Sequence, residues 1–85
     1  MSNETPELIA HRRMISARTI LENKADLRPY PHRHLAIVSQ LMAAGEGITQ
    51  LLAAVEILDR FGWDLINVSE MTGRQVYAFM RQRTP

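Results

Sequence analysis

The chain has 85 residues, no cysteine and a formal net charge of +1. A length of that order makes one domain that buries only about 60–65% of its unfolded surface, and the lack of cysteine excludes disulfides and Cys-based zinc sites. Charge near zero gives no argument for nucleic acid. No apolar run approaches the roughly 20 residues of a membrane span, and the opening MSNETPEL lacks the basic and apolar regions of a signal peptide. The expectation is therefore a cytoplasmic protein without membrane contact, whose small core is supplemented by oligomerisation.

The charges are unevenly placed. Residues 1–34 hold six basic groups against four acidic ones, and residues 35–85 hold four against five. Residues 1–5 are expected to fray. Thr5-Pro6 reads as a helix start, with Thr5 as cap and Pro6 in the first turn. Leu8, Met14, Ile15, Ala17 and Leu21 fall roughly on one side, which predicts a helix from about Pro6 to Asn23. The β-branched Ile15, Thr19 and Ile20 make a strand over Met14–Leu21 the alternative.

Pro29 and Pro31 break both kinds of element and make residues 23–31 a connector. Leu35, Val38, Leu41 and Met42 then fit a helix from about His32 to Ala44, ended by Gly45 and Gly47, with a strand as the alternative. Residues 6–47 are thus expected to form a helical N-terminal segment.

Residues 48–81 carry the clearest signal. Ile48, Leu51, Leu52, Val55 and Leu58 fall at helical spacing. Ala54, Ile57 and Phe61 widen the apolar arc to roughly 200°, more than one sheet face requires. Gly62 stands where a left-handed helix stop is wanted. Trp63–Ser69 and Gln75–Arg81 are strand-like runs joined by Met71-Thr72-Gly73-Arg74, which predicts a hairpin. Both parities of the first run are apolar, as in a strand covered on both faces. Residues 82–85 read as a solvated tail. The predicted fold is α+β: two or three helices packed on a small antiparallel sheet with a C-terminal β-hairpin.

The stretch from Leu58 to Val68, with Gly62-Trp63-Asp64-Leu65-Ile66-Asn67-Val68, followed by Tyr77-Ala78-Phe79-Met80-Arg81, resembles a small bacterial family known only as a domain of unknown function. Its members look like a strand, a helix ending in G-W-[DE]-L, and a hairpin closing in an apolar strand with basic residues. The resemblance covers somewhat under half the chain. It implies a fold and no activity, and it favours a strand for residues 32–44. The family opens directly with a strand, whereas here a long segment precedes Ile48.

Several groups invite a chemical reading. His32 and His34 flank Arg33 and would share one side of a strand, but the spacing supplies no third metal ligand. They read as surface histidines. Ala44-Gly45-Glu46-Gly47 precedes a helix, as phosphate cradles do. No Gly-Lys-Ser/Thr follows it, and Glu46 opposes an anion, so a turn is the plainer reading. Met42–Ile48 also resembles the turn of a helix-turn-helix, yet Thr49–Glu56 brings no basic residue for DNA. His11, Arg12, Arg13 and Arg18 would give the first helix a basic face, extended by Arg33, for an anion or an acidic partner. Asp59, Asp64, Glu70 and the serines form no nucleophile and base set.

No catalytic, cofactor or metal residue is therefore assigned. The leading expectation is a non-enzymatic protein-interaction module that forms a homodimer and binds another protein, with Ile57, Phe61, Val76 and Phe79 as oligomer contacts. The alternatives are a nucleic-acid-binding accessory protein using Arg12, Arg13, Arg18 and Arg33, and a small-ligand or metal-binding domain.

Overall fold

A computed structural model describes residues 5–40, 46–71 and 73–83. Three helices pack on one face of a four-stranded sheet. The elements are α1 (Pro6–Arg12), β1 (Met14–Ser16), α2 (Ala17–Leu21), β2 (His34–Gln40), α3 (Glu46–Arg60), β3 (Trp63–Met71) and β4 (Gln75–Gln82). The sheet order is β1-β2-β4-β3. β4 pairs antiparallel with both neighbours, while β1 runs parallel to β2. The fold is α+β as expected. The sheet is mixed rather than antiparallel, because α2 and the following connector cross over between β1 and β2.

The expected helix over residues 6–23 is divided. Thr5 caps its start, its Oγ1 accepting the Leu8 N–H at 3.1 Å, with Pro6 in the first turn. Arg13 then turns left-handed at φ 61°, and its N–H closes onto the Ile9 carbonyl at 2.7 Å. That geometry ends a helix. It releases Met14–Ser16 to pair with Ala36–Val38. Ser16 restarts helical structure by accepting the Thr19 N–H at 3.3 Å.

The expected helix over 32–44 is corrected to a strand, β2; residues 41–45 lie outside the described residues. Leu35, Val38, Leu41 and Met42 suit a helical period, but a strand in mid-sheet is apolar on both parities too. Leu35, Ile37 and Ser39 point to the helices, and Ala36 and Val38 to the other side. The helix-turn-helix reading falls with that helix. Gly47 belongs to α3 and not to a turn.

The core lies between α3 and the sheet. Leu51, Ala54, Val55 and Leu58 of α3 meet Ile15, Leu35, Ile37, Trp63, Val76, Ala78 and Met80, and Ile9, Ile20 and Tyr30 close its end. Gly62 takes φ 94° after α3, as the helix stop requires, and β3 starts at once. Trp63 is 3% exposed and packs at a tilt against Tyr30, ring centroids 5.8 Å apart and planes 58° apart. Tyr30 donates from its hydroxyl to the His34 carbonyl at 2.6 Å. The expected tail is ordered at its start: Gln82 closes β4, and the Arg83 guanidinium binds Asp64 and Asp59, the latter at 3.2 Å. Residues 84 and 85 lie outside the described residues.

Candidate functional site

Strand alternation divides the sheet into two faces. Residues on the side of Leu35, Ile37, Val76, Ala78 and Met80 enter the core. The opposite parity carries Met14, Ser16, His34, Ala36, Val38, Gln40, Gln75, Tyr77, Phe79 and Arg81, joined from β3 by Asp64, Asn67 and Ser69. None of these belongs to the core cluster or packs against it, and α1, α2 and α3 contribute to the core side. Among the described residues no helix covers this second face.

Its centre is apolar. Tyr77 stands opposite Val38 and Phe79 opposite Ala36, with Met14 beyond on β1. Met14, Val38, Tyr77 and Phe79 are half-buried, each shielding its neighbours without being enclosed. The Tyr77 and Phe79 rings are nearly parallel, 10° apart in plane, with centroids separated by 6.2 Å. Two residues apart on one strand, they are held in common orientation by the pleat.

One end of this face is basic. The register sets His34 on one side of Arg81 and Asp64 on the other, and at the same end of the sheet the Arg33 carbonyl, on the helix-side parity, accepts the Gln82 N–H at 2.8 Å. Arg13 accepts the Ala36 N–H at 3.1 Å just before β1, and Arg12 ends α1 beside it. Arg12, Arg13, Arg33 and Arg81 are exposed, and among the described residues none of them pairs with a carboxylate. Asp64 is the carboxylate of this face among the described residues, and Arg83 already holds it.

The β3 edge is a second unshielded surface. β3 has nine residues and, among the described residues, a strand neighbour on one side alone, which leaves its outer backbone groups without a strand partner. Leu65, Ile66 and Val68 on it are 43%, 50% and 38% exposed, and Ile48 and Leu52 on α3 are similarly open. Ile48, Leu52, Val55 and Asp59 recur at the spacing of one helix flank. Arg83 bridges Asp59 to Asp64, which fixes that flank toward β3. Leu65 and Val68 lie on the helix-facing side of the sheet, opposite Met80 and Ala78. Ile48 and Leu52 of α3 and Leu65 and Val68 of β3 are thus exposed apolar side chains on the helix side of the sheet. A β-bulge between Leu65 and Asn67 interrupts the strand's register there.

The third feature is an open cavity of about 590 Å³ between the connector and the end of α3, floored by Trp63 and Leu58 and bordered by Ile57 and Phe61. Lys24, Asp26 and Arg28 line its rim. Asp26 takes a hydrogen bond from the Arg28 side chain at 3.0 Å and another from its backbone, which holds the carboxyl below its ordinary range. Burial pushes the Tyr30 phenol up, opposed by the charge of Arg13.

The residues singled out in the sequence separate. Arg12, Arg13 and Arg33 gather at the basic end, whereas Arg18 sits on α2 paired with Glu22 at 3.6 Å. The predicted basic face of one helix does not form. Of the oligomer contacts, Phe79 lies on the open face, Phe61 is 73% exposed at the cavity rim, and Ile57 packs partly against the core. Val76 is 2% exposed and belongs to the core, so it is closed to any partner. His34 is exposed, while His32 packs edgewise on Tyr30 with its Nε2 3.2 Å from the Ala10 carbonyl. No cluster of three metal-ligating side chains forms among the described residues.

Sequence reasoning missed Tyr77 and the open face as a whole. The signal was present in Gln75-Val76-Tyr77-Ala78-Phe79-Met80-Arg81, where aromatic and basic side chains occupy one parity and small or aliphatic ones the other. The β3 edge was missed because both its parities are apolar, a pattern taken to mean cover on both faces. Comparison with family models, with curated proteins and with solved structures finds no match for the chain.

Proposed function

We propose that this protein is a non-enzymatic interaction module that joins a second copy of itself through the β3 edge. The observation that carries the reading is the apolar margin of Ile48, Leu52, Leu65 and Val68 beside an unpaired strand edge. A long apolar edge invites strand pairing, and a small core gains from association. A two-fold axis at β3 would extend the sheet across two chains and bury both margins against each other, in the isologous geometry of most soluble dimers. Asp64 and Glu70 would repel if set opposite one another, so the axis must lie where they do not meet. The bulge leaves the regular half of the strand, residues 67–71, to supply the pairing.

This reading moves the contact away from Ile57, Phe61 and Val76. Sedimentation equilibrium at micromolar concentration should return about twice the 9.7 kDa monomer mass. Val68→Lys should return the monomer with its circular dichroism intact. A wild-type protein that remains monomeric at high concentration removes the proposal.

A further inference from the structure

We infer that the open sheet face is a binding platform for single-stranded nucleic acid, with Tyr77 and Phe79 stacking bases and the arginines at the strand ends holding phosphates. The inference is independent of the β3 dimer, which uses a different margin of the molecule.

Two observations select this occupant. The first is the aromatic pair. The two half-exposed rings lie nearly parallel on a central strand, and stacking on aromatic rings tolerates any base. The second is uncompensated charge. Arg81 follows Phe79 on the same parity of β4, with His34 opposite it on β2 and Asp64 opposite it on β3, and Arg33, of the other parity, and Arg13 stand at the same end of the sheet. Among the described residues no carboxylate lies within ion-pair distance of these arginines, since Asp64, opposite Arg81, is bound by Arg83.

A second copy packed face to face would not supply one. Among the described residues the far end of the face presents Gln40, Gln75 and Ser69, and Asp64, beside Arg81 at the basic end, is taken by Arg83. Turning the partner either way therefore sets arginine against arginine or against neutral groups, whereas a polyanion satisfies the charges. The net charge of +1 does not oppose this, because the field at a phosphate is set by the nearest charges and screened beyond about 10 Å. Nothing in stacking or in phosphate pairing reads the sugar, so RNA and DNA strands of equal length should bind alike.

The test is fluorescence anisotropy of labelled oligothymidylate and oligouridylate with the full chain at low salt. Both should bind, with affinities within a few-fold of each other. Tyr77→Leu and Phe79→Leu keep an apolar side chain on the sheet and remove the π face. Each should weaken binding about tenfold or more while circular dichroism is unchanged. Arg81→Gln and Arg33→Gln should each lower the slope of log affinity against log salt by about 0.7. The inference is overturned if neither oligonucleotide binds, if the leucine variants bind as the wild type does, or if polyglutamate competes as well as unlabelled oligothymidylate. It is also overturned if Phe79→Glu dissociates a wild-type dimer into folded monomers, since the face would then belong to a second copy.

Discussion

Removing the indole of Trp63 should be the most damaging single change outside the aliphatic core. The ring is 3% exposed, begins β3, leans on Tyr30 and floors the cavity below the end of α3. Burying an aromatic of its kind removes 150–250 Å² from water, worth about 4–6 kcal/mol at 25 cal/mol per Å². Alanine retains a little of that, and Trp→Ala changes in cores cost about 3–5 kcal/mol. Here the lower end applies. The space vacated opens into an existing cavity of about 590 Å³ that communicates with solvent. Water can enter it, so the cost of an empty void is relieved. A loss of about 3 kcal/mol follows, against a total of about 5–15 kcal/mol for a small domain. In a chain of this size that lowers Tm by about 12–24 °C. Thermal unfolding followed by far-ultraviolet circular dichroism measures it without needing the lost fluorophore. Trp63→Phe should recover more than half the loss by keeping the contact with Tyr30. A Tm within about 4 °C of wild type in the alanine variant would refute the reasoning.

Gly62 at φ 94° has nothing within 4 Å of where a Cβ would stand, so Gly62→Ala tests the backbone alone. It should cost about 1 kcal/mol in urea unfolding; an unchanged midpoint would contradict the left-handed helix stop. In a Tyr77→Phe background Tyr30 is the one phenol left. Burial raises its pKa, so the folded state favours the neutral form and its contribution is intact below the unfolded value of about 10. That contribution is lost as pH rises through the higher folded value. Phenolate absorbance in the folded protein should rise above pH 10, and a midpoint at or below 10 would rule out the buried placement.

The helix-and-hairpin half was legible because its cues agree. Leu51, Val55 and Leu58 keep helical spacing, Gly62 stops the helix, and Gly73 takes φ 81° in the turn between β3 and β4. In the N-terminal half the Thr5-Pro6 helix start was legible, and the division that follows it was not. Arg13 breaks the first helix by adopting a conformation that its side chain does not announce. The helix predicted over His32–Ala44 gives way to its strand alternative because a central strand, apolar on both parities, satisfies a helical period by accident. The open face was hidden for a related reason. Tyr77 and Phe79 look like core residues until the pairing of β4 with β2 shows that Val76, Ala78 and Met80 have taken the core side. Pairing between distant strands decides which parity is buried, and no local window contains it.

The sheet order also sets a schedule for synthesis. β4, near the end of the described chain, is flanked by β2 and β3, so β2 gains its antiparallel neighbour only when residues 75–82 have been made. At about 5–20 residues per second, the 34 positions between the end of β2 and the start of β4 take roughly 2–7 seconds to emerge. During that interval Leu35, Ile37, Leu51 and Leu58 have no β4 to pack against. A nascent chain in this condition is a substrate for chaperones, and a ribosome stalled before residue 75 would hold it there.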